Sequence, residues 1–286
     1  MQEVSPHVYI ENNYAGVTLG AINWPRGLIL VDAPIKAEDI RSWRAALLNL
    51  GSGADRLLIN LDAHLDRTLG VRGMECTVIG HDKLVQVFRN RPVTFKSQPT
   101  ETGAEWELYN GLGSIRWAPP EISFTNQLSI HWDGEPLSLE FRPGPSPAAI
   151  WVVLPQNQVV FIGDTVTLNQ PPFLASAHLP TWIDQLNELL KPEYQNSLLV
   201  SGRGGLTTQD DVRKQIRFLE KVMRIMETLA EKNAPLEEID QQVPALLALF
   251  APPPELAVLY QNRLRYGLTQ YYLRNYRQTE AQEIDE

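Results

Sequence analysis

Between positions 60 and 67 the chain reads Asn60-Leu61-Asp62-Ala63-His64-Leu65-Asp66-Arg67. Asp62, His64 and Asp66 alternate with apolar residues, so one chain segment can deliver three donor groups into one cavity. Carboxylates and an imidazole in that pattern suit a divalent metal such as zinc. Arg67 has the opposite chemistry, because a guanidinium stays protonated and has no lone pair to give a metal. The run Arg56 to Leu61 reads as a short buried strand, and Thr68-Leu69-Gly70 continues into a helix. A strand end therefore positions the cluster.

The surrounding elements alternate between strand and helix. Val8-Tyr-Ile, Val17 to Ile22 and Leu28-Ile-Leu-Val are rich in apolar and β-branched residues, as strands are. Lys36 to Leu50 places Ile40, Trp43, Ala46, Leu47 and Leu50 on one helical face. A strand around Cys76 and a helix at His81 to Phe88 follow. Arg89 to Pro119 is rich in Pro, Gly and polar residues and reads as a loop or lid. Five further strands are expected at Ile122–Phe124, Leu128–Trp132, Leu137–Phe141, Ala149–Leu154 and Val159–Ile162. A helix at Thr181 to Leu190 and a strand at Ser197 to Val200 come next. From Thr208 the pattern is helical, with Asp210 to Glu231 and Glu255 to Arg277 separated by Pro252-Pro-Pro. The acidic tail Glu280 to Glu286 is expected to fray.

The segment from Asp62 to Arg67 resembles the His-x-His-x-Asp-His signature of the metallo-β-lactamase superfamily. Further landmarks follow in the family's order. Leu28-Ile-Leu-Val-Asp32 resembles the early strand ending in Asp, and Gly144-Pro145-Ser146-Pro147 the Gly-His-Ser/Thr-Pro loop. Val159-Val-Phe-Ile-Gly163-Asp164 resembles the strand ending in Gly-Asp, and Ser201-Gly202-Arg203-Gly204 the later Gly-His-Gly turn. The resemblance covers about the first 205 residues. It implies a mixed α/β (α+β) fold, a four-layer αββα metallo-β-lactamase-like sandwich with a C-terminal helical extension. Residues 1–205 would form the sandwich domain, and residues 206–286 the extension packed on it.

The same resemblance implies where metal ligands belong. One metal would use Asp62, His64 and Pro145, and proline offers no side-chain donor. The second would use Asp66, Arg67 and Arg203, with Asp164 bridging the two. The expectation is a degenerate site in which Arg67 and Arg203 neutralise Asp66 and Asp164 through paired hydrogen bonds. No cofactor is then expected, and the chain would be a pseudoenzyme that binds a small-molecule ligand or a protein partner. The alternative is a hydrolase of a small ester, thioester, lactone or amide, with one divalent metal such as zinc held by Asp62, His64 and Asp164. Asp66 would then position the catalytic water. Pro145 would border the same pocket, and His178, on a Pro-rich loop, would either border it too or lie on the surface. His81 is read as a helix cap or surface residue, His131 as a structural residue in mid-strand, and His7 as a residue with no site role.

Composition narrows the partners. The chain has 286 residues and a formal net charge of -9. A negative surface repels phosphate backbones, so nucleic acid is not an expected partner. Only 38 residues separate Asp164 from Arg203, too few for the extra domain of the superfamily's nucleases. No run is long and apolar enough for a membrane span, and no leader-like pattern opens the sequence. A cytoplasmic location is the expectation. The single cysteine, Cys76, excludes an intrachain disulfide and reads as a core thiol. Tyr260, Tyr266, Tyr271, Tyr272 and Tyr276 on the last helix offer either core packing or a homodimer face.

Overall fold

The computed structural model describes residues 1–96, 100–109, 112–132 and 135–277. Two β-sheets stack face to face with helices on both outer sides, the expected four-layer arrangement. The first sheet runs in the order Gln2–Ser5, Val8–Glu11, Leu19–Trp24, Gly27–Val31, Asp55–Ile59, Thr77–His81, Ile122–Phe124. Its first four strands are an antiparallel meander and the remaining pairings are parallel. The second sheet runs Gln127–Ile130, Leu137–Phe141, Ile150–Leu154, Val159–Thr167, Leu198–Arg203, Gly205–Thr207. There only Val159–Thr167 and Leu198–Arg203 pair in parallel.

The period of two in the strands explains the layering. Ile150, Val152 and Leu154 face the first sheet together with Val159 and Phe161, whereas Trp151, Val160 and Ile162 face the outer helices. On the other side Ile29 and Val31 point between the sheets, and Leu28 and Leu30 meet Ile40, Trp43 and Leu47 of helix Ala37–Leu48. Both faces of these central strands are covered, which is why their sequences are continuously apolar.

The C-terminal helices have no separate core. Helix Gln209–Glu231, helix Ala257–Tyr276 and two short helices between them share one apolar cluster with helix Leu179–Leu189 and the outer face of the second sheet. Tyr260, Tyr271 and Tyr272 are buried, and Tyr266 is exposed. The long helix begins with a capping box, Thr208 and Asp211 bonding each other's backbone N–H. Among the described residues no helix is long and apolar enough to cross a membrane.

The segment 89–119, expected as a loop, contains a two-stranded ribbon, Thr94–Lys96 with Ser114–Arg116, and a 3-10 turn at Glu105–Leu108. Its strands are three residues long, below the length at which periodicity can be read. Trp106, Trp117 and Phe95 tie the ribbon down by edge-to-face contacts.

Candidate functional site

Four parallel strand ends converge at one edge of the sandwich. Asp32 follows Gly27–Val31, Asp62 follows Asp55–Ile59, Asp164 lies within Val159–Thr167, and Arg203 ends Leu198–Arg203. The carboxyl ends of parallel strands are where open α/β sheets place their sites. Two local distortions aim the side chains. Asp32 has φ +58°, a left-handed conformation that Asp tolerates better than most residues. Gly163 has φ +55°, and the strand register shifts there, which aims Asp164 at Arg67 and Arg203.

Arg67, on the short helix Leu65–Thr68, is fully buried at the centre of this edge. Its Nη1 donates to Asp32 Oδ2 and its Nη2 to Asp164 Oδ1. Its Nε lies 3.2 Å from Asp62 Oδ1, without the alignment of a hydrogen bond. The guanidinium passes directly over Gly202, where any Cβ would collide with it. Gly202 is thus required by close approach.

Arg203 forms the second hub. Its Nε donates to Asp164 Oδ2 at 3.1 Å, and its Nη1 to Asp66 Oδ2 at 3.0 Å and Glu105 Oε2 at 2.7 Å. Nη1 also reaches the carbonyl of Gly16, and Nη2 lies 3.1 Å from His64 Nδ1. Asp66 completes its bonding with the backbone N–H groups of Glu105 and Trp106, at 3.2 and 2.9 Å. Glu105 is held from its other oxygen by Arg263 Nη2 at 2.8 Å. Arg263, on helix Ala257–Tyr276, is itself fully buried and also donates to Gly103 O and Gln170 Oε1. Phe173 packs under both cations, 4.6 Å from Arg203 and 4.1 Å from Arg263.

The cluster holds five carboxylates (Asp32, Asp62, Asp66, Glu105, Asp164) and three guanidiniums (Arg67, Arg203, Arg263). Burial raises the carboxyl of Asp32, with Arg67 opposing it, and raises that of Glu105, with Arg263 and Arg203 opposing it. Asp62 is pushed up to about 6, chiefly by burial, with Arg67 working against it. Asp164 is different. Burial would raise it, but Arg203 and Arg67 on opposite sides hold it well below the usual carboxylate range. Burial, then Arg203, keep the His64 imidazole well below its ordinary value. Its Nδ1 accepts from Asp66 N at 3.2 Å, which with Arg203 fixes Nδ1 as the acceptor.

A cavity of about 360 Å³ opens beside these hubs. Asp62, His64, Pro145 and Asp164 line it with apolar groups from Leu65, Trp106, Phe173 and Tyr266. Arg91 lines it too, bonded to Thr68 Oγ1 and Ala63 O, with its pKa lowered to about 10 by burial.

The sequence-predicted residues therefore fall as follows. Asp62, His64, Asp66, Arg67, Asp164 and Arg203 come together, and Pro145 lies buried at the cavity wall. His178 does not join them. It is exposed and caps helix Leu179–Leu189, its ring accepting from Thr181 N, and only its backbone N–H reaches the loop, at Gly144 O, 2.8 Å. His81 caps helix Asp82–Asn90 but is buried, stacked on Phe141. His131, expected as a structural residue in mid-strand, instead lies just past the end of strand Gln127–Ile130 and is exposed. In the sequence Asp32 is legible only as a landmark, and Glu105, Arg263 and Phe173 join the site without having been among the expected residues. Arg263 had a readable signal, since Tyr260, Leu264, Gly267, Leu268 and Tyr271 put it on the buried stripe of its helix. Glu105 had none.

The donor set as arranged does not fit a dinuclear metal centre. Both oxygens of Asp164 face guanidiniums, those of Asp66 face N–H donors, and Nδ1 of His64 is engaged. Pro145 brings no donor. Among the described residues no three His, Cys, Asp or Glu side chains are grouped to hold a metal ion.

No protein-family model matches the sequence, and no curated protein sequence does. Solved structures do match. The stereoselective inverting sec-alkylsulfatase Pisa1 from Pseudomonas sp. superposes with TM-score 0.66 at 15% identity, over 99% of this chain and 51% of that one. The chain thus spans about half the length of that alkylsulfatase. A metallo-beta-lactamase family protein from Thermus thermophilus gives TM-score 0.62 at 18% identity, over 98% and 96% of the two chains. A metallo-beta-lactamase from Pontibacter korlensis gives 0.55 at 15%, over 74% and 99%. The chain has the metallo-β-lactamase fold. At these identities the likeness establishes the fold alone.

Proposed function

We propose that this chain is a ligand-binding module of the metallo-β-lactamase fold, in which two arginines replace the dinuclear metal centre. The observation that carries the reading is the double grip of Arg67 and Arg203 on Asp164. Carboxylates that would otherwise repel one another are each satisfied by buried donors. A dication entering the cluster would have to displace or face two fixed cations. The adjoining cavity remains open, with apolar walls for the body of a small molecule and polar groups of Asp62, His64 and Arg91 at its margin. Such a protein binds a small molecule without turning it over.

The test is elemental analysis of protein purified without chelator, with a hydrolysis screen across esters, thioesters and lactones. The reading expects well below one tightly bound transition metal per chain and no chelator-sensitive turnover. Two equivalents of metal surviving dialysis, or robust turnover abolished by chelator, would overturn it.

A second reading has its own support. Asp62, His64 and Asp164 all line the same cavity, and the structural neighbours include an alkylsulfatase and a β-lactamase. That arrangement suits a mononuclear hydrolase if Arg203 swings away from His64. About one metal equivalent per chain, lost on Asp62→Ala or His64→Ala, is the result that favours it.

A further inference from the structure

A second cavity lies on the outer side of the second sheet and shares no lining residue with the cleft. Its volume is about 360 Å³, and it is enclosed by Thr167 to Asn169, the first half of helix Gln209–Glu231, and Leu249-Phe250. Positions 211, 214, 215 and 218 follow the i, i+3, i+4, i+7 spacing, so one helix face forms its wall. The floor is apolar, with the rings of Phe218 and Phe250 edge-to-face at 5.0 Å.

Two polar features make this more than a packing gap. Gln215 is only 4% exposed. Its Oε1 lies 3.4 Å from the Thr167 hydroxyl, while its Nε2 has no hydrogen-bond partner among the described residues. A buried amide donor left without an acceptor is costly, and native structures seldom retain one without a reason. The second feature is charge. Lys214 is paired with Asp211 at 2.9 Å, but Arg217 and Lys221, one turn apart at the same mouth, lack an ion-pair partner among the described residues. In a chain of net charge -9 this is a local inversion, and it focuses an attractive potential on anions.

We propose that this cavity binds a small amphipathic carboxylate. Its apolar body packs on Phe218 and Phe250, and its carboxylate accepts from Gln215 Nε2 under the field of Arg217 and Lys221. A neutral ligand would leave the two cations unanswered. A phosphate dianion would find a single buried amide donor and an apolar floor. Neither matches the wall as well as an aryl or alkyl carboxylate.

The experiment is calorimetric titration of the full chain with phenylbutyrate, using phenylbutylamine as the cationic counterpart. Saturable binding of the acid with one site, and none of the amine, is expected. Charge reversal at the surface, Arg217→Glu with Lys221→Glu, should weaken it about tenfold or more, and Gln215→Leu should do the same through the lost hydrogen bond to a charged group. A thermal melt checks that each variant is folded. The surface double variant keeps the test decisive if the buried substitution unfolds the chain. Absence of saturable binding, equal binding of the amine, or acid binding indifferent to the surface double variant would overturn the proposal.

Discussion

Arg67 and Arg203 hold opposite oxygens of a single carboxylate, that of Asp164. Arg67 Nη2 meets Oδ1, and Arg203 Nε meets Oδ2 at 3.1 Å. Each arginine then reaches outward to different acids, Arg67 to Asp32 and Asp62, Arg203 to Asp66 and Glu105. Asp164 is therefore the hinge between two otherwise separate ion-pair groups, one rooted in each sheet's strand ends. Buried pairs of this sort are weak evidence for net stability, because desolvation offsets much of the attraction. Breaking one is a different matter, since the partner stays buried and uncompensated.

That asymmetry sets the first prediction. Arg203→Ala leaves Asp66, Glu105 and half of Asp164 without their shared cation, and should destabilise the fold by about 3–5 kcal/mol. Combining Arg203→Gln with Asp164→Asn should cost less than the sum of the single changes, because the two groups touch. Urea denaturation of the four proteins measures the cycle. Strict additivity would mean that the contact is absent in solution.

The pH dependence of stability gives a second. Asp62 has a folded pKa of about 6 against 3.8 for the free group. Below about pH 4 the carboxyl is neutral folded or unfolded, so the shift contributes nothing there. As pH rises from about 4 to 6 the unfolded chain ionises while the folded one resists, so stability falls, by on the order of 3 kcal/mol in full. Asp62→Asn removes that penalty and keeps an acceptor for His64 N, which now bonds Oδ1 at 2.7 Å. The variant should match the wild type near pH 4 and exceed it at pH 7. A stability difference that does not change with pH sinks the idea.

His64 supports a spectroscopic prediction. With Arg203 and Asp66 N both directed at Nδ1, the proton of the neutral ring belongs on Nε2. Its depressed pKa means that this contribution to stability is present above the free histidine value and lost as pH falls below it. Imidazole nitrogen shifts at neutral pH should report the Nε2–H tautomer. Substituting Arg203→Gln should raise the pKa of His64, since a buried cation beside it disappears. A ring that titrates near its ordinary value in the wild type would contradict the geometry.

The elements of this fold were legible because buried parallel strands are continuously apolar and the helices carry clear faces, whereas their four-layer arrangement came only from the family resemblance. Ile40, Trp43 and Leu47 pack where their spacing put them. The charged residues at strand ends were legible as well, since Asp32, Asp62, Asp164 and Arg203 each follow a run of apolar residues. Glu105 was not. It sits in a segment whose strands are three residues long, and what brings it to Arg203 is the tertiary anchoring of Trp106 and Arg263. His178 misled for a related reason. Its position after a Pro-rich loop fits a cleft residue, but a helix begins one residue later and uses the ring as a cap.

The last prediction tests the proposal that Arg67 and Arg203 stand in for a metal centre. Asp62→His, Arg67→His, Pro145→His and Arg203→His together place imidazoles at four positions around the cleft, whose backbones are already held by two strand ends, helix Leu65–Thr68 and the Pro145 loop. Glu105 keeps Arg263 as a partner, whereas Asp32 keeps the Leu61 N–H at 3.1 Å but loses its cation, so the metal-free variant should be less stable than the wild type. Metal binding then requires donors more than a new fold. The variant should take up about two zinc ions per chain and be more stable with zinc than without it, which a thermal melt with and without chelator reads. Pro145→His alone, with both arginines present, should recruit no zinc, because the cations remain. If the single change binds zinc as well as the fourfold variant, electrostatic exclusion by Arg67 and Arg203 is wrong. If the folded fourfold variant binds none, the loops do not hold the geometry that their sequence positions imply.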